Sequence, residues 1–98
     1  MTISKIQNGA LLTIAVEGRL DTVTAPELDN ELKTSLEGVT ELVFDFDRLE
    51  YISSAGLRVI LSAQKQMNKQ GSMKVINAGS EIKEIFDVTG FSDILTIE

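Results

Sequence analysis

The sequence changes from strand periodicity to helix periodicity within a short stretch, Asp45 to Leu57. The apolar residues on either side are Leu42, Val43, Phe44 and Phe46 before the change and Leu57, Ile60, Leu61 and Met67 after it. The first set is continuous and of strand length, whereas the second recurs at helical spacing. We therefore predict a buried strand, Glu41 to Phe46, then an acidic loop, and then a helix that begins at Ser53-Ser54 and runs to about Lys69.

The N-terminal residues predict an antiparallel hairpin. Thr2 to Gln7 and Ala10 to Glu17 have strand patterns and flank Asn8-Gly9, the residue pair that best tolerates positive φ at both turn positions. The apolar residues that share one face of the second strand are Leu12, Ile14 and Val16. Since side chains alternate between the two faces of a strand, we expect this apolar face to lie in the core.

Two more helices are predicted, one on each side of the Ser54 helix. Thr24 and Glu27 have the spacing of a capping box, which predicts a helix start after the second strand. Ser80 is the predicted N-cap of a last helix that ends at Gly90. The remaining apolar residues predict a short strand at Met73, Val75 and Ile76 and a final strand at Ile94, Leu95 and Ile97.

The order of these elements is strand, strand, helix, strand, helix, strand, helix, strand. It predicts an α/β fold for residues 1–98 as a single domain, with a mixed β-sheet, an N-terminal antiparallel hairpin and crossover helices packed against the sheet. In open α/β sheets, binding sites gather at the carboxyl ends of the strands. The loop after the Glu41 to Phe46 strand is such an end, so the predicted fold places a candidate site at Ser54.

Charge and composition exclude several classes of function. The net charge is −6, and the chain lacks the clusters of Lys and Arg with which proteins bind nucleic acids and anionic membranes. It contains no His and no Cys, which removes the usual general base, the thiol nucleophile and most zinc sites. The sequence has neither a leader peptide nor an apolar run of about 18 residues. We therefore expect a cytoplasmic, non-enzymatic protein whose partner presents a basic protein surface.

The serine pair has two interpretations. Serine is among the preferred N-cap residues, so Ser53 or Ser54 can serve only as a helix cap. Alternatively, the small residues Ala55 and Gly56 leave the hydroxyl groups accessible at the first helical turn. At that point the backbone N–H groups and the positive end of the helix dipole favour a phosphate. We favour the second interpretation, in which a serine here is the target of a protein kinase.

Asp45 and Asp47 suggest a second kind of site. If both lie on the strand they point to the same side, and with Asp21 they could hold Mg²⁺ or orient a hydroxyl group. The alternative, which we favour, is that Asp45 is a hydrogen-bonded strand-end residue and that Asp47 and Glu50 are solvated, since no phosphate-binding Gly-Lys loop accompanies the carboxylates. A serine hydrolase is disfavoured because the sequence has no Gly-x-Ser-x-Gly elbow and no histidine. We predict no metal ion, no other cofactor and no small-molecule ligand.

These residues resemble a known family, the sulfate transporter and anti-sigma factor antagonist (STAS) domain, and within it the free-standing bacterial anti-sigma factor antagonists. The likeness consists of four blocks in the family's order, which are Gly18-Arg19-Leu20-Asp21 with Thr24-Ala25, Val43-Phe44-Asp45-Phe46, Tyr51-Ile52-Ser53-Ser54-Ala55-Gly56-Leu57 and Ile85-Phe86-Asp87-Val88-Thr89-Gly90-Phe91. The third block is the most specific to the family, and the likeness spans nearly the whole chain.

The resemblance implies that Ser54 is phosphorylated by a partner anti-sigma factor that is itself a serine kinase, and that a serine phosphatase reverses the modification. Many family members carry Asp immediately before the acceptor, whereas this chain has Ser53, so Ser53 is the alternative acceptor. The residues assigned to partner binding are Asp21, Thr22, Ser53, Ser54, Ala55, Gly56 and Arg58, with Asp45 in a supporting position. In the family a C-terminal helix often follows the last strand. Since the sequence ends at Glu98, we expect one side of the sheet to be less covered.

The predicted function is that of an anti-sigma factor antagonist, a partner-switching phosphoprotein that regulates sigma-factor-dependent transcription and is turned off by serine phosphorylation. The alternative is a STAS accessory module that docks constitutively on a transporter ATPase or a signalling assembly without phosphorylation. The two differ in one observable property, which is whether Ser54 gains a phosphate when the protein meets its partner kinase.

Overall fold

A computed structural model describes all residues from Met1 to Glu98. The secondary-structure elements are β1 (Thr2–Asn8), β2 (Leu11–Leu20), α1 (Ala25–Ser35), β3 (Glu41–Asp45), β4 (Leu49–Ile52), α2 (Ser54–Gln70), β5 (Ser72–Ile76) and α3 (Ser80–Thr89), followed by a 3-10 turn at Phe91–Asp93. The predicted α/β class with three helices is confirmed. None of these helices has both the length and the apolar character that a membrane span requires.

The sheet is mixed, as predicted. Its main path runs β1-β2-β3-β5, and β4 joins it beside β2. Strand β1 is antiparallel to β2, whereas β3, β4 and β5 all lie parallel to their neighbours. Parallel neighbours require crossover connections, and α1 and α2 supply them. The carboxyl ends of β2, β3, β4 and β5 therefore lie toward the same end of the sheet, where α2 begins.

The hairpin turn lies one residue further along the chain than predicted. Asn8 still pairs with Leu11, so the two-residue loop is Gly9-Ala10 and not Asn8-Gly9. Gly9 has φ +64°, and a glycine with positive φ in the first position of a two-residue loop is the pattern of a type II′ turn. The prediction assumed that both loop positions need positive φ, which is true only of the type I′ turn.

Strand β4 occupies residues that we predicted to be an acidic loop. Strand β3 pairs with the first half of β2, and β4 pairs with Gly18–Leu20 further along the same strand. Only residues 46–48 separate β3 from β4, and Gly18 N donates to Arg48 O at 3.0 Å within this interval. Leu49 and Ile52 are buried while the two residues between them are exposed, so β4 lacks the strict alternation that identifies a strand in a sequence.

The predicted final strand is wrong. The residues after Gly90 first form the 3-10 turn, and only Ile97 then reaches the sheet, as a single parallel bridge to Val75. Val75 N donates to Thr96 O and Glu98 N donates to Val75 O, both at 2.9 Å. Gly90 itself, with φ +81°, ends α3 as predicted, although the N-cap of that helix is Gly79 and not Ser80.

All three helices contribute to one hydrophobic core. The predicted core face of β2 is confirmed, because Leu12, Ile14 and Val16 are each at most 2% exposed. The largest buried side chains include three phenylalanines, and the ring of Phe46 lies 5.6 Å from that of Phe44 and 6.4 Å from that of Phe86. This aromatic cluster connects β3 to α3 across the short interval before β4.

The connection between α2 and β5 passes very close to the start of β3. Gly71 N donates to Met67 O at the end of α2, and Ser72 N donates to Thr40 O at 2.9 Å. A Cβ atom on Gly71 would lie 1.9 Å from the carbonyl oxygen of Thr40. Only glycine therefore fits at this position, and its lack of a side chain lets β5 enter the sheet directly beside β3.

Candidate functional site

Ser53 is the N-cap of α2. Its backbone is extended, and its Oγ accepts a hydrogen bond from Gly56 N at 3.3 Å. Ser53 N donates to Leu20 O at 2.9 Å, which fixes the helix start against the end of β2. The capping interpretation of the serine pair is therefore correct for Ser53, whose hydroxyl group is already engaged in the fold.

Ser54 is the first residue inside the helix, and its environment differs from that of Ser53. Its side chain is exposed and takes part in none of the protein's hydrogen bonds. The backbone N–H groups of Ser54 and Ala55 also have no acceptor within the protein, as is usual for the first turn of a helix. The Ser54 hydroxyl group is thus free, and it stands where unpaired N–H groups and the helix dipole favour an anion.

Gly56 was predicted to contact a partner, but it is buried. A Cβ atom at Gly56 would lie 2.8 Å from Leu20 Cγ and 2.9 Å from Leu20 O. The lack of a side chain at Gly56 therefore allows α2 to pack closely against the end of β2, and a partner protein cannot reach this residue. Ala55 beside it is half-buried, whereas Arg58 is exposed as the prediction requires.

Asp21 organises the loop between β2 and α1. Its Oδ1 accepts hydrogen bonds from Val23 N at 3.0 Å and Thr24 N at 3.1 Å. The predicted capping box of Thr24 and Glu27 is not formed, because Thr24 Oγ1 accepts from Asp21 N at 2.9 Å and donates to Arg19 O at 2.8 Å. The Thr24 hydroxyl group is therefore already hydrogen-bonded within the loop and does not cap the helix.

The hydrogen bond that Asp21 accepts from the Thr24 backbone N–H lowers the pKa of Asp21 below its usual value of 3.8, and the Val23 N–H and the Arg19 charge act in the same direction. A carboxyl group whose pKa is lowered by folding stabilises the native state above its unfolded pKa. This stabilisation is lost as the pH falls through the lowered native pKa.

We expect Asp21→Asn to be less stable than wild type above about pH 4 and to lose this disadvantage as the pH falls below 3.8, the usual pKa, through the lowered native pKa, because the ionised carboxylate accepts stronger hydrogen bonds from the loop N–H groups than a neutral amide does. Urea unfolding at a series of pH values measures the difference. Asp47→Asn is the matched control, since Asp47 is an exposed carboxylate that accepts no hydrogen bond. A difference between wild type and Asp21→Asn that does not change with pH would contradict the assignment.

The Asp21 loop, β4 and α2 come together at the start of α2, and each carries exposed side chains there. Because Ser53 is hydrogen-bonded to Leu20, the loop that follows Leu20 lies beside the start of α2. We define the junction surface as the exposed residues Thr22 and Val23 of that loop, Tyr51 of β4, and Ser54 and Arg58 of α2. Val23 is 86% exposed and gives the surface an apolar contact point.

Two residues of this region were missed by the sequence analysis. The guanidinium group of Arg19 lies over the Tyr51 ring, 4.3 Å from its centroid, and Arg19 Nε is 3.7 Å from Asp21 Oδ2. These contacts connect β2, β4 and the Asp21 loop beside Ser54. The pairing of Arg19 with Tyr51 across the sheet became visible only with β4, whose register places the two residues opposite each other.

Asp45 has a structural place away from the serine pair. Its Oδ1 accepts hydrogen bonds from Asp47 N at 3.0 Å and Asn77 Nδ2 at 3.1 Å. It therefore joins the end of β3 to the residue after β5, as the strand-end interpretation predicted. Asp47 lies in the turn beyond the strand, so the two carboxylates do not share a strand face, and no group of three or more acidic residues comes together to bind a metal ion.

The largest surface cleft is at the other end of the sheet. Its volume is about 560 Å³, and its lining includes Leu11, Glu41 and Ser72, the first residues of three neighbouring strands. None of its lining residues belongs to the junction surface. The site around Ser54 is therefore separate from this cleft and consists of exposed side chains.

Comparison with known proteins gives a consistent result. The model of the STAS domain family matches residues 2–98. A Bordetella bronchiseptica protein named as a candidate anti-sigma factor antagonist, BtrV, is 33% identical over an alignment of 99 positions that covers 99% of this chain and 84% of that protein. This finding confirms the family resemblance seen in the four sequence blocks.

Solved structures share the fold. A crystal structure of an anti-sigma factor antagonist from Mycobacterium paratuberculosis has a TM-score of 0.88 at 22% identity, covering 98% of this chain and 83% of that one. The structure of the Bacillus cell fate determinant SpoIIAA in its phosphorylated form has a TM-score of 0.77 at 17% identity, covering 99% of this chain and 91% of that one. At these identities the likeness shows a common architecture.

Proposed function

Because the chain belongs to the STAS domain family, we propose that it is an anti-sigma factor antagonist that binds a kinase-type anti-sigma factor and is released when Ser54 is phosphorylated. The observation on which this proposal rests is the free, exposed hydroxyl group of Ser54 at the start of α2. The name of the Bordetella relative supports antagonism of an anti-sigma factor. The phosphorylated form of SpoIIAA supports regulation by phosphate on this fold.

In the unmodified state the junction surface is suited to a protein contact. Apart from Arg58, its side chains are uncharged, and Val23 and Tyr51 are available for burial against the partner. Bound there, the protein keeps the anti-sigma factor away from its sigma factor, so that transcription from the dependent promoters proceeds. This role is cytoplasmic, and it requires no catalytic group in the antagonist.

Phosphorylation changes the surface much more than it changes the fold. A phosphate adds about −1.5 to −2 charges at neutral pH, together with a strongly hydrated group. Within the domain the charge meets the positive end of the α2 dipole and the free N–H groups of the first turn, so the native state accommodates it. In a close contact with a partner, the same group must lose its water, which weakens the complex. A serine phosphatase then returns the protein to its binding form.

The position of the cap supports Ser54 over Ser53 as the acceptor. A phosphate on Ser53 would be attached to the oxygen that accepts from Gly56 N and would disturb the cap of α2. A phosphate on Ser54 disturbs no hydrogen bond of the protein. We therefore assign Ser54 as the acceptor and Ser53 as the cap that presents it.

We expect incubation with the partner kinase and ATP to add one phosphate to the wild-type protein and none to Ser54→Ala, as measured by intact-mass spectrometry. Ser53→Ala is expected to lose about 1 kcal/mol of stability through the missing cap but to keep the mass gain. Ser62→Ala, at an exposed position further along α2, is the matched control and should behave as wild type.

Two results would contradict the assignment in different ways. A mass gain that persists in Ser54→Ala but disappears in Ser53→Ala would move the acceptor by one residue. A wild-type protein that binds its partner but gains no phosphate would instead favour the constitutive module that docks on a transporter ATPase or a signalling assembly.

A further inference from the structure

We propose that Arg58 is the internal counter-ion of the phosphate on Ser54, and that phosphorylation therefore also withdraws Arg58 from the junction surface. This inference rests on the proposed function, because it concerns the phosphorylated state. It adds a second effect to the modification: the phosphate brings negative charge to the helix start and at the same time occupies the only basic side chain in the first two turns of α2.

The spacing of the two residues favours this pair. Ser54 and Arg58 are four residues apart in one helix, which places their Cβ atoms about 5 to 6 Å from each other on the same face. Helical side chains lean toward the N-terminus of their helix, so a long side chain at Arg58 extends over the turn that contains Ser54. Both side chains are exposed, and neither has to leave a buried position to meet the other.

Arg58 is also available. The other arginines have carboxylate partners, since Arg19 Nε lies 3.7 Å from Asp21 and Arg48 Nη1 lies 3.8 Å from Glu17. Arg58 forms no ion pair, and α2 contains no acidic residue that could compete for it. On β2, the Asp21 loop and β4, the charged residues next to the helix start are Arg19, Asp21 and Glu50, and Arg19 and Asp21 are already paired with each other. Helix α1, which also packs against α2, carries Glu27, Asp29, Glu31 and Lys33; Asp29 is paired with Lys33 and Glu31 with Lys5.

The first turn leaves room for the phosphate between its ligands. Ala55 has a small side chain, Gly56 has none, and Leu57 is buried in the core. A phosphate on Ser54 can therefore accept from the free N–H groups on one side and from the Arg58 guanidinium group on the other. Arginine suits this role because its planar group donates two parallel hydrogen bonds to one phosphate.

The test uses protein in which phosphoserine is incorporated at position 54 during translation, so that no kinase is needed. The second pKa of a phosphoserine phosphate is about 6, and a nearby positive charge lowers it by favouring the dianion. We expect a ³¹P NMR titration to give a phosphate pKa about 0.5 higher in Arg58→Gln than in wild type. Lys65→Gln removes the same charge from an exposed position further along α2 and should leave the phosphate pKa unchanged.

A second variant and a second NMR signal test the same contact between Arg58 and the phosphate. Arg58→Lys keeps the charge but loses the planar fork, so its phosphate pKa should lie between those of wild type and Arg58→Gln. In wild type, the Arg58 Nε–H resonance should shift when Ser54 is phosphorylated, while the corresponding resonance of Arg48 should not. Equal phosphate pKa values in wild type and Arg58→Gln would overturn the inference. Since the phosphate is incorporated directly, this test is independent of whether a kinase modifies Ser54.

Discussion

Gly71→Ala is expected to lower the free energy of unfolding by about 3 kcal/mol or more. The added Cβ would lie 1.9 Å from Thr40 O and 2.6 Å from Thr40 C, so the contact is with backbone that cannot rotate away. Relief requires β5 to move away from β3, which breaks the hydrogen bond from Ser72 N to Thr40 O and the pairing of Glu41 with Ser72. For a domain of this size we expect the midpoint of thermal unfolding to fall by roughly 15 °C.

Thermal unfolding followed by circular dichroism measures this effect, and Gly79→Ala is the matched control. A Cβ at Gly79 would meet no atom within 4 Å. Since Gly79 is the N-cap of α3, where alanine is a poor residue, a loss of up to about 1 kcal/mol is expected from that variant. Equal melting temperatures for Gly71→Ala and Gly79→Ala would show that the α2–β5 connection does not pass the start of β3 as closely as described.

Ser54→Asp is expected to weaken binding to the anti-sigma partner by roughly 100-fold, which corresponds to about 2.7 kcal/mol, while leaving the melting temperature close to that of wild type. The new carboxylate must be dehydrated in the contact, but within the free domain it meets the positive end of the α2 dipole. Isothermal titration calorimetry with the purified partner and a thermal melt of the same protein measure the two halves of the prediction.

Ser62→Asp is the control for a general effect of charge, because Ser62 is also an exposed serine of α2 but lies outside the junction surface. It should bind like wild type. If Ser54→Asp unfolds, the Ser54 side chain has a structural role that its exposure does not reveal. If Ser54→Asp folds and binds normally, the partner contact does not include the helix start and the proposed switch is wrong.

The sequence was sufficient to predict the elements whose patterns are local. Leu12, Ile14 and Val16 alternate because neighbouring side chains of a strand point to opposite faces. The apolar residues after Leu57 recur at helical spacing because one face of the helix is buried. For this reason the two strands of the hairpin and the start of α2 were predicted correctly, although the turn between the strands was placed one residue too early. The same reasoning identified Ser54 as a candidate because a helix start after a strand is visible in the sequence.

The features that the sequence did not reveal depend on distant or competing contacts. Strand β4 is held by its pairing with β2, and its two buried residues do not alternate, so no local pattern identifies it. The capping box is not formed because Thr24 is hydrogen-bonded to the Asp21 carboxylate and backbone N–H. Sequence spacing alone does not show whether Asp21 or Glu27 interacts with Thr24. The burial of Gly56 likewise depends on Leu20, which is far away in the sequence.

The position of β2 makes the start of α2 depend on the assembly of the whole sheet. This one strand pairs with β1, β3 and β4, and Leu20 at its end holds the amide group of Ser53. A slip of β2 by one residue would exchange its two faces and release that amide group. Under the proposed function, a kinase would therefore meet Ser54 in this position only on a chain whose sheet is correctly assembled.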